Sequence, residues 1–162
     1  MHIALVRIDN RLLHGVVATQ WAPKTRAQRV MVIDDETAAN EMAKTSMKLA
    51  RPAGMAISII ALETAIANFN ANKYEGQTIF IIAKRVETIQ ALLDATGIKI
   101  DELDVGATAQ REQTSDLIVV DNRVTIDPSE AAAYRDLIGR GVNVYAQYLV
   151  ADKPKPLTAL LG

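Results

Sequence analysis

The sequence predicts an α/β protein in which a predominantly parallel central sheet lies between helices on both faces, making three layers. Short apolar, β-type runs alternate with longer runs of helical spacing along the whole chain, which is typical of successive βαβ units. No linker, repeat or low-complexity segment interrupts this alternation. A chain of 162 residues can bury a substantial core. We therefore expect residues 1–162 to form one domain.

The first predicted strand runs from Ile3 to Ile8 and is mostly branched and apolar, which suits a strand buried on both faces of a parallel sheet. Asp9 and Asn10 end it, and the polar turn that follows presents His14 ahead of a short helix that Pro23 ends. Open α/β sheets bind ligands at the carboxyl ends of their strands. This turn is therefore the predicted functional site.

The later strands are predicted from apolar runs between turn residues: Arg29–Asp34, Met55–Ala61, Thr78–Ala83, Asp101–Val105 and Val142–Val150. One helix follows Asp34 and ends at Pro52, with an apolar stripe formed by Ala39, Met42, Ala43, Met47 and Ala50. The next two helices carry Leu62, Ala65, Ile66 and Phe69, and then Val86, Ile89, Leu92 and Leu93.

Between the fifth and last strands, Gly106 opens a polar loop to about Ser115 at the same sheet edge as His14. A small hairpin is predicted next, pairing Leu117–Val120 with Arg123–Ile126. Asp127 then caps a helix that runs to about Arg140. The tail is expected to dock only through Leu157, Leu160 and Leu161.

Composition excludes several classes of function. Hydrophobic residues make up 49% of the chain and charged residues 23%, as in an ordinary globular protein. The net charge of -1 provides no overall basic field for nucleic acid or anionic lipid. The absence of cysteine excludes disulfides, thiolate nucleophiles and cysteine-ligated metals. The chain shows neither a signal peptide nor a membrane span, and we expect it to be cytoplasmic.

The chain has two histidines, His2 and His14, which lie at opposite ends of the first predicted strand. At about 3.3 Å per residue they are roughly 20 Å apart, which argues against a two-histidine metal centre and against a two-histidine phosphatase. His14 must therefore act as a general base, a structural hydrogen bonder or a nucleophile.

The neighbours of His14 favour the nucleophile. A guanidinium such as that of Arg11 stabilises the charge on a transferring phosphoryl group, and Gly15 leaves room for a close approach. Asp9 could orient Arg11 or accept a hydrogen bond from the turn. A capping histidine, a binding domain that uses His14 only as a ligand contact, and a hydrolase or isomerase with His14 as base remain the alternatives.

Three other features have a structural and a functional interpretation. Asp34, Asp35 and Glu36 could bind a divalent cation, although acids at a helix start usually favour the helix dipole. Trp21 is either core or the border of a partner surface. Arg111 is most simply a solvated loop residue, with phosphate or partner contact as the second interpretation.

The segment Arg7-Ile8-Asp9-Asn10-Arg11-Leu12-Leu13-His14-Gly15, followed by Trp21, resembles the phosphohistidine segment of IIB components of the mannose/sorbose family, in the bacterial phosphoenolpyruvate-dependent sugar phosphotransferase system (PTS). Further similar segments cover nearly the whole chain: Val32-Ile33-Asp34-Asp35-Glu36, Asp104-Val105-Gly106, the Arg111 loop and Arg140-Gly141-Val142.

The resemblance implies a protein-Nπ-phosphohistidine–sugar phosphotransferase that uses no metal or organic cofactor. His14 would accept phosphate from a phosphohistidine of the IIA component, with Arg11 as its cationic helper. Asp9, Gly15, Asp34 and Gly106 would shape the site, with Arg111 as a further contact. The phosphate would pass to a sugar during uptake through the membrane components IIC and IID, which would bring the cytoplasmic chain to the membrane.

One departure from the family pattern is expected to matter at the rim of the site. The family commonly has glutamine after His-Gly, where this chain has Val16. Beside Leu12 and Leu13, this valine predicts a more apolar rim, suited to transient docking of IIA. The residues themselves leave open which sugar is used, which ring nitrogen of His14 carries the phosphate, and whether the chain forms a homo-oligomer.

Overall fold

The computed structural model describes all residues from 1 to 162. Its strands are β1 (His2–Asp9), β2 (Arg29–Ile33), β3 (Ala56–Ile60), β4 (Thr78–Ala83), β5 (Glu102–Ala107), β6 (Ile118–Val119), β7 (Thr125–Ile126), β8 (Asn143–Ala146) and β9 (Lys155–Pro156). A π-helical turn (Val17–Trp21) leads into α1 (Ala22–Thr25), and the other helices are α2 (Asp35–Ala38), α3 (Glu41–Lys48), α4 (Leu62–Asn70), α5 (Val86–Thr96), α6 (Pro128–Gly139) and α7 (Thr158–Leu161). None of these helices has the length and apolar character needed to cross a membrane.

Seven strands form one sheet in the order β3-β2-β4-β1-β5-β8-β9. The first six are parallel to their neighbours, and only β9 is antiparallel, at the edge beside β8. The predicted hairpin also forms, with β6 antiparallel to β7. The predicted α/β fold with a mostly parallel sheet is therefore confirmed.

Helices cover both faces of the sheet because residues along each central strand alternate between two cores. In β4, Ile79 and Ile81 belong to the larger core with residues of α4, α5, α6 and α7. Phe80 and Ile82 belong to the smaller core with Val17 and Trp21 of the π-helical turn. Burial of both faces explains why β4 is apolar at every position from Ile79 to Ala83 rather than alternating with polar residues.

The prediction of a single helix between Asp34 and Pro52 is wrong, because two short helices, α2 and α3, occupy this segment. Asn40 adopts an extended backbone and its side chain accepts a hydrogen bond from Ala43 N, so it caps a second helix, α3. The predicted stripe is consequently broken: Ala39 is exposed and Met42 is 83% exposed, while Met47 and Ala50 pack against the smaller core.

The C-terminal prediction is corrected in two ways. The last parallel strand, β8, ends at Ala146 instead of Val150, and the segment after it turns over the carboxyl edge of the sheet. The tail adds β9 and α7; Leu157 and Leu161 are buried as predicted, whereas Leu160 is 47% exposed.

Candidate functional site

The site is built on the turn that follows β1, the strand between β4 and β5. Asp9 O accepts a hydrogen bond from Leu12 N at 3.0 Å, and Asp9 Oδ1 accepts one from Arg11 N at 2.9 Å. Leu12 has a left-handed backbone, with φ of 59°, and its side chain is buried in the smaller core. Burial of the leucine compensates for a backbone conformation that branched side chains rarely adopt. The turn thus brings His14 back over Asp9.

His14 and Asp9 are joined by a hydrogen bond. His14 Nε2–H donates to Asp9 Oδ2 at 3.1 Å, with Asp9 fully buried and 9% of the His14 side chain exposed. An ionised carboxylate accepts only, so it fixes the tautomer with hydrogen on Nε2. Nδ1 then carries the free lone pair, and it has no hydrogen-bond partner within the protein.

Asp9 is held in turn by Arg7, a fully buried residue near the C-terminal end of β1. The Arg7 guanidinium donates twice to Asp9 Oδ2, both at 3.2 Å, and once to Asp104 Oδ2 at 2.5 Å. It also donates to the carbonyl oxygens of Gln147 and Tyr148, at 3.1 and 3.2 Å. A buried charge is tolerated when its donors are used in this way.

The buried group contains two carboxylates, Asp9 and Asp104, for one guanidinium. Burial raises the pKa of Asp104 to about 7, although the Arg7 charge and hydrogen bonds from Arg7 and the Gln147 N–H favour its ionised form. A positive charge that develops on the His14 ring would lie beside the Asp9 carboxylate, whose Oδ2 is 3.1 Å from Nε2.

Gly106 and Trp21 determine where the Arg7 guanidinium lies. A Cβ at Gly106 would be 2.6 Å from Arg7 Nε and closer still to the rest of the guanidinium, so only glycine fits there. The ring of Trp21 lies 4.9 Å from Arg7 Cζ, and Trp21 Nε1–H donates to Tyr148 O at 2.8 Å. Trp21 is 1% exposed, and it is therefore core rather than a partner surface.

Arg11 and Gly15 lie on either side of His14, and both are exposed. The Arg11 side chain is exposed and makes no ion pair, so Asp9 accepts from the Arg11 backbone instead of orienting its guanidinium. Gly15 is exposed, and a Cβ there would meet nothing within 4 Å. Gly15 therefore leaves space next to the histidine in the chain, and Arg11 provides a positive charge three residues before it.

Asp34 is placed apart from these contacts, at the end of β2. Its carboxylate caps α2 through Thr37 and lies 3.5 Å from Lys84 Nζ. The adjacent acids are also engaged: Asp35 accepts from Leu62 N at 2.8 Å, and Glu36 lies 3.8 Å from Lys84 Nζ. Helix capping and ion pairing account for this acidic cluster.

Arg111 is anchored rather than solvated. It donates to Asp127 and Thr125 at 3.0 Å and lies 2.6 Å from Glu130. It lines a cleft of about 360 Å³ with Asn10 of the His14 turn and with Lys84 and Arg85, which follow β4. The prediction that its loop shares the edge of His14 is therefore confirmed.

The apolar rim predicted around His14 is wrong. Leu12 and Leu13 are 1% and 4% exposed, because the left-handed turn points both into the smaller core. Only Val16 is partly exposed, and it packs against the same core. The surface next to His14 is consequently mainly polar.

Arg7 and Asp104 belong to the site but were not predicted from the sequence. The signal for Arg7 was present, since a charged residue in an otherwise apolar strand requires a buried partner. Its partner could not be identified, because Asp104 is 97 residues away and meets Arg7 only through the pairing of β1 with β5.

Comparisons with known proteins agree with this architecture. Residues 3–162 match the family described as PTS system sorbose subfamily IIB component. The PTS system sorbose-specific EIIB component of Klebsiella pneumoniae is 30% identical over 152 residues, which cover 94% of this chain and 90% of that protein. The crystal structure of the IIBSor domain of the sorbose permease from Klebsiella pneumoniae has a TM-score of 0.88 at 28% identity, covering 98% of this chain and 95% of that one.

The PTS system mannose-specific EIIAB component of Escherichia coli (strain K12) is 31% identical over 162 residues. The alignment covers 100% of this chain and 49% of that protein, so this chain spans about half the length of that relative. From the match over residues 3–162 and the similarity in fold, we conclude that the chain belongs to the sorbose subfamily of PTS IIB components.

Proposed function

We propose that His14 accepts a phosphoryl group on Nδ1 from a phosphohistidine of a IIA component and then transfers it to a sugar hydroxyl. The observation that carries this proposal is the hydrogen bond from His14 Nε2 to the buried Asp9 carboxylate. That bond orients the ring and leaves Nδ1 as the nucleophile.

The reaction needs no external proton acceptor in its first step. The Nδ1 lone pair attacks phosphorus in line, the Nδ1–P bond forms, and the donor's N–P bond breaks with its electron pair returning to the donor imidazole. The phosphorylated His14 ring carries a positive charge with hydrogen still on Nε2. The Asp9 carboxylate, 3.1 Å from Nε2, stabilises this cation, and the hydrogen bonds from Arg7 hold Asp9 in place.

In the second step the electron pair of the His14–phosphate bond returns to Nδ1 as the sugar oxygen attacks phosphorus. The hydroxyl proton leaves to solvent or to a base of the sugar site. Arg11 acts on the phosphoryl group in both steps, because its exposed guanidinium has no carboxylate partner in the protein. Positioning and charge stabilisation provide the catalysis, without a metal or organic cofactor.

The partners follow from the family. We infer that residues 1–162 form one IIB domain that meets a phosphorylated IIA component and the membrane components IIC and IID. Such a domain works in the cytoplasm and reaches the membrane through its partners. The exposed turn at His14 suits brief contact with each of them in succession.

Intact-mass spectrometry at neutral to basic pH tests the proposal. The protein is incubated with phosphoenolpyruvate, the general PTS proteins and a mannose-family IIA, beside the variants His14→Ala and His2→Ala. We expect one acid-labile phosphate on the wild type and on His2→Ala, and none on His14→Ala. Absence of phosphate from all three, with the IIA shown to be phosphorylated, would refute the relay and favour a non-catalytic binding domain.

A further inference from the structure

Two arginines at the carboxyl edge of the sheet, Arg11 and Arg123, are exposed and have no carboxylate partner. The other arginines of this edge are paired: Arg7 with Asp9 and Asp104, Arg85 with Glu87, and Arg111 with Asp127 and Glu130. The positive charge of each paired guanidinium group is already balanced by a carboxylate of the protein. The unpaired ones remain available to an external anion.

Arg123 is tied to the His14 turn through consecutive backbone hydrogen bonds. It lies between β6 and β7, and its carbonyl oxygen accepts from Thr108 N at 2.9 Å. Ala107, the residue before Thr108, accepts a hydrogen bond through its carbonyl oxygen from Asn10 N at 3.1 Å. The hairpin that carries Arg123 is therefore next to the turn that carries His14.

Stacking on Tyr148 orients the Arg123 side chain. The Arg123 Cζ atom lies 3.9 Å from the centroid of the Tyr148 ring. The main chain of Tyr148 is fixed, because its carbonyl oxygen accepts from Arg7 Nη2 at 3.2 Å and from Trp21 Nε1 at 2.8 Å, and its ring also lies 5.8 Å from Arg7 Cζ. An arginine already stacked on an aromatic ring loses less side-chain freedom when it binds an anion.

We propose that Arg123 is a docking residue for the phosphorylated donor protein. The inference rests on the proposed function, which brings a dianionic phosphohistidine and its protein to this edge. Arg11, three residues from His14, acts on the phosphoryl group during transfer. Arg123 instead attracts and orients the donor protein, whose phosphohistidine is negatively charged. Removal of Arg123 therefore weakens docking while the chemical step stays intact.

The test is to measure initial rates of phosphoryl transfer at increasing concentrations of phosphorylated mannose-family IIA. The variant is Arg123→Gln, and the matched control is Arg26→Gln. Arg26 is also exposed and without an ion pair, but it precedes β2 at the opposite edge. We expect Arg123→Gln to raise KM for the donor about three- to tenfold, with kcat within about twofold of wild type.

Arg26→Gln should leave both constants unchanged, and Arg123→Lys should restore part of the affinity because it keeps the charge. The KM difference between wild type and Arg123→Gln should shrink in high salt. If the wild type accepts phosphate but Arg123→Gln has an unchanged KM, or a loss confined to kcat, the docking role is wrong and the proposed function stands. If the wild type accepts no phosphate, the proposed function and this inference both fail.

Discussion

Replacing Gly106 by alanine disturbs the buried group that holds the site. The new Cβ would lie 2.6 Å from Arg7 Nε, far inside ordinary contact. The guanidinium cannot swing aside, because it is fully buried and donates to Asp9, Asp104, Gln147 and Tyr148. Overpacking costs about 1–3 kcal/mol, and loss of one partner of a buried ion pair costs about 3–5 kcal/mol. We expect Gly106→Ala to lose about 3–5 kcal/mol in free energy of unfolding.

Urea unfolding followed by circular dichroism measures this loss. Gly139→Ala is the control, since a Cβ at that position in α6 meets nothing within 4 Å. It should be neutral or more stable by up to about 1 kcal/mol, the usual gain of alanine over glycine in a helix. If Gly106→Ala unfolds at the same urea concentration and with the same slope as wild type, Arg7 does not pack against this glycine as described.

Three further predictions concern charge in and around the site. Asp9→Asn should slow phosphorylation of His14 about 100-fold or more, because an amide does not stabilise the ring cation; phosphoryl-transfer rates at wild-type speed would contradict this. Arg11→Ala should slow transfer about 100-fold with stability within about 0.5 kcal/mol of wild type, and equal rates would exclude the helper role. At Asp127, desolvation by burial is outweighed by hydrogen bonds with Glu130 and by nearby arginine charges, so the pKa is lowered. The stability that this lowered pKa provides is complete above the unfolded pKa of about 3.9 and is lost as the pH falls through the lower pKa of the folded state. The free energy of unfolding in urea should therefore differ less between wild type and Asp127→Asn at pH 3 than at pH 6.

Most of the fold could be predicted from the sequence because the patterns that specify it are local. Alternating apolar strands and helices, the Asp127 capping box and the turn after Asp9 are each contained within a few neighbouring residues. The break between α2 and α3 was missed for the opposite reason. The stripe from Ala39 to Ala50 continues helical spacing across Asn40, and only the extended backbone of Asn40 shows that its side chain caps a new helix.

The site could be predicted from the sequence only in part. The placement of His14 and Asp9 follows from the end of one strand, whereas Arg7, Asp104 and Gly106 meet through the pairing of β1 with β5. That pairing joins residues about a hundred positions apart, and nothing local in either segment specifies it. The stacking of Arg123 on Tyr148 is equally non-local, since it joins a hairpin to the segment after β8.

In the proposed mechanism, Asp9 holds His14 Nε2 and thereby leaves Nδ1 to accept the phosphate. Nuclear magnetic resonance of the phosphorylated protein, with ¹⁵N-labelled histidine, tests it directly, because the chain has two histidines and His2 provides an unmodified reference. We predict phosphorus coupling to Nδ1 of His14, with hydrogen retained on Nε2. Phosphate on Nε2, or on His2, would contradict the account.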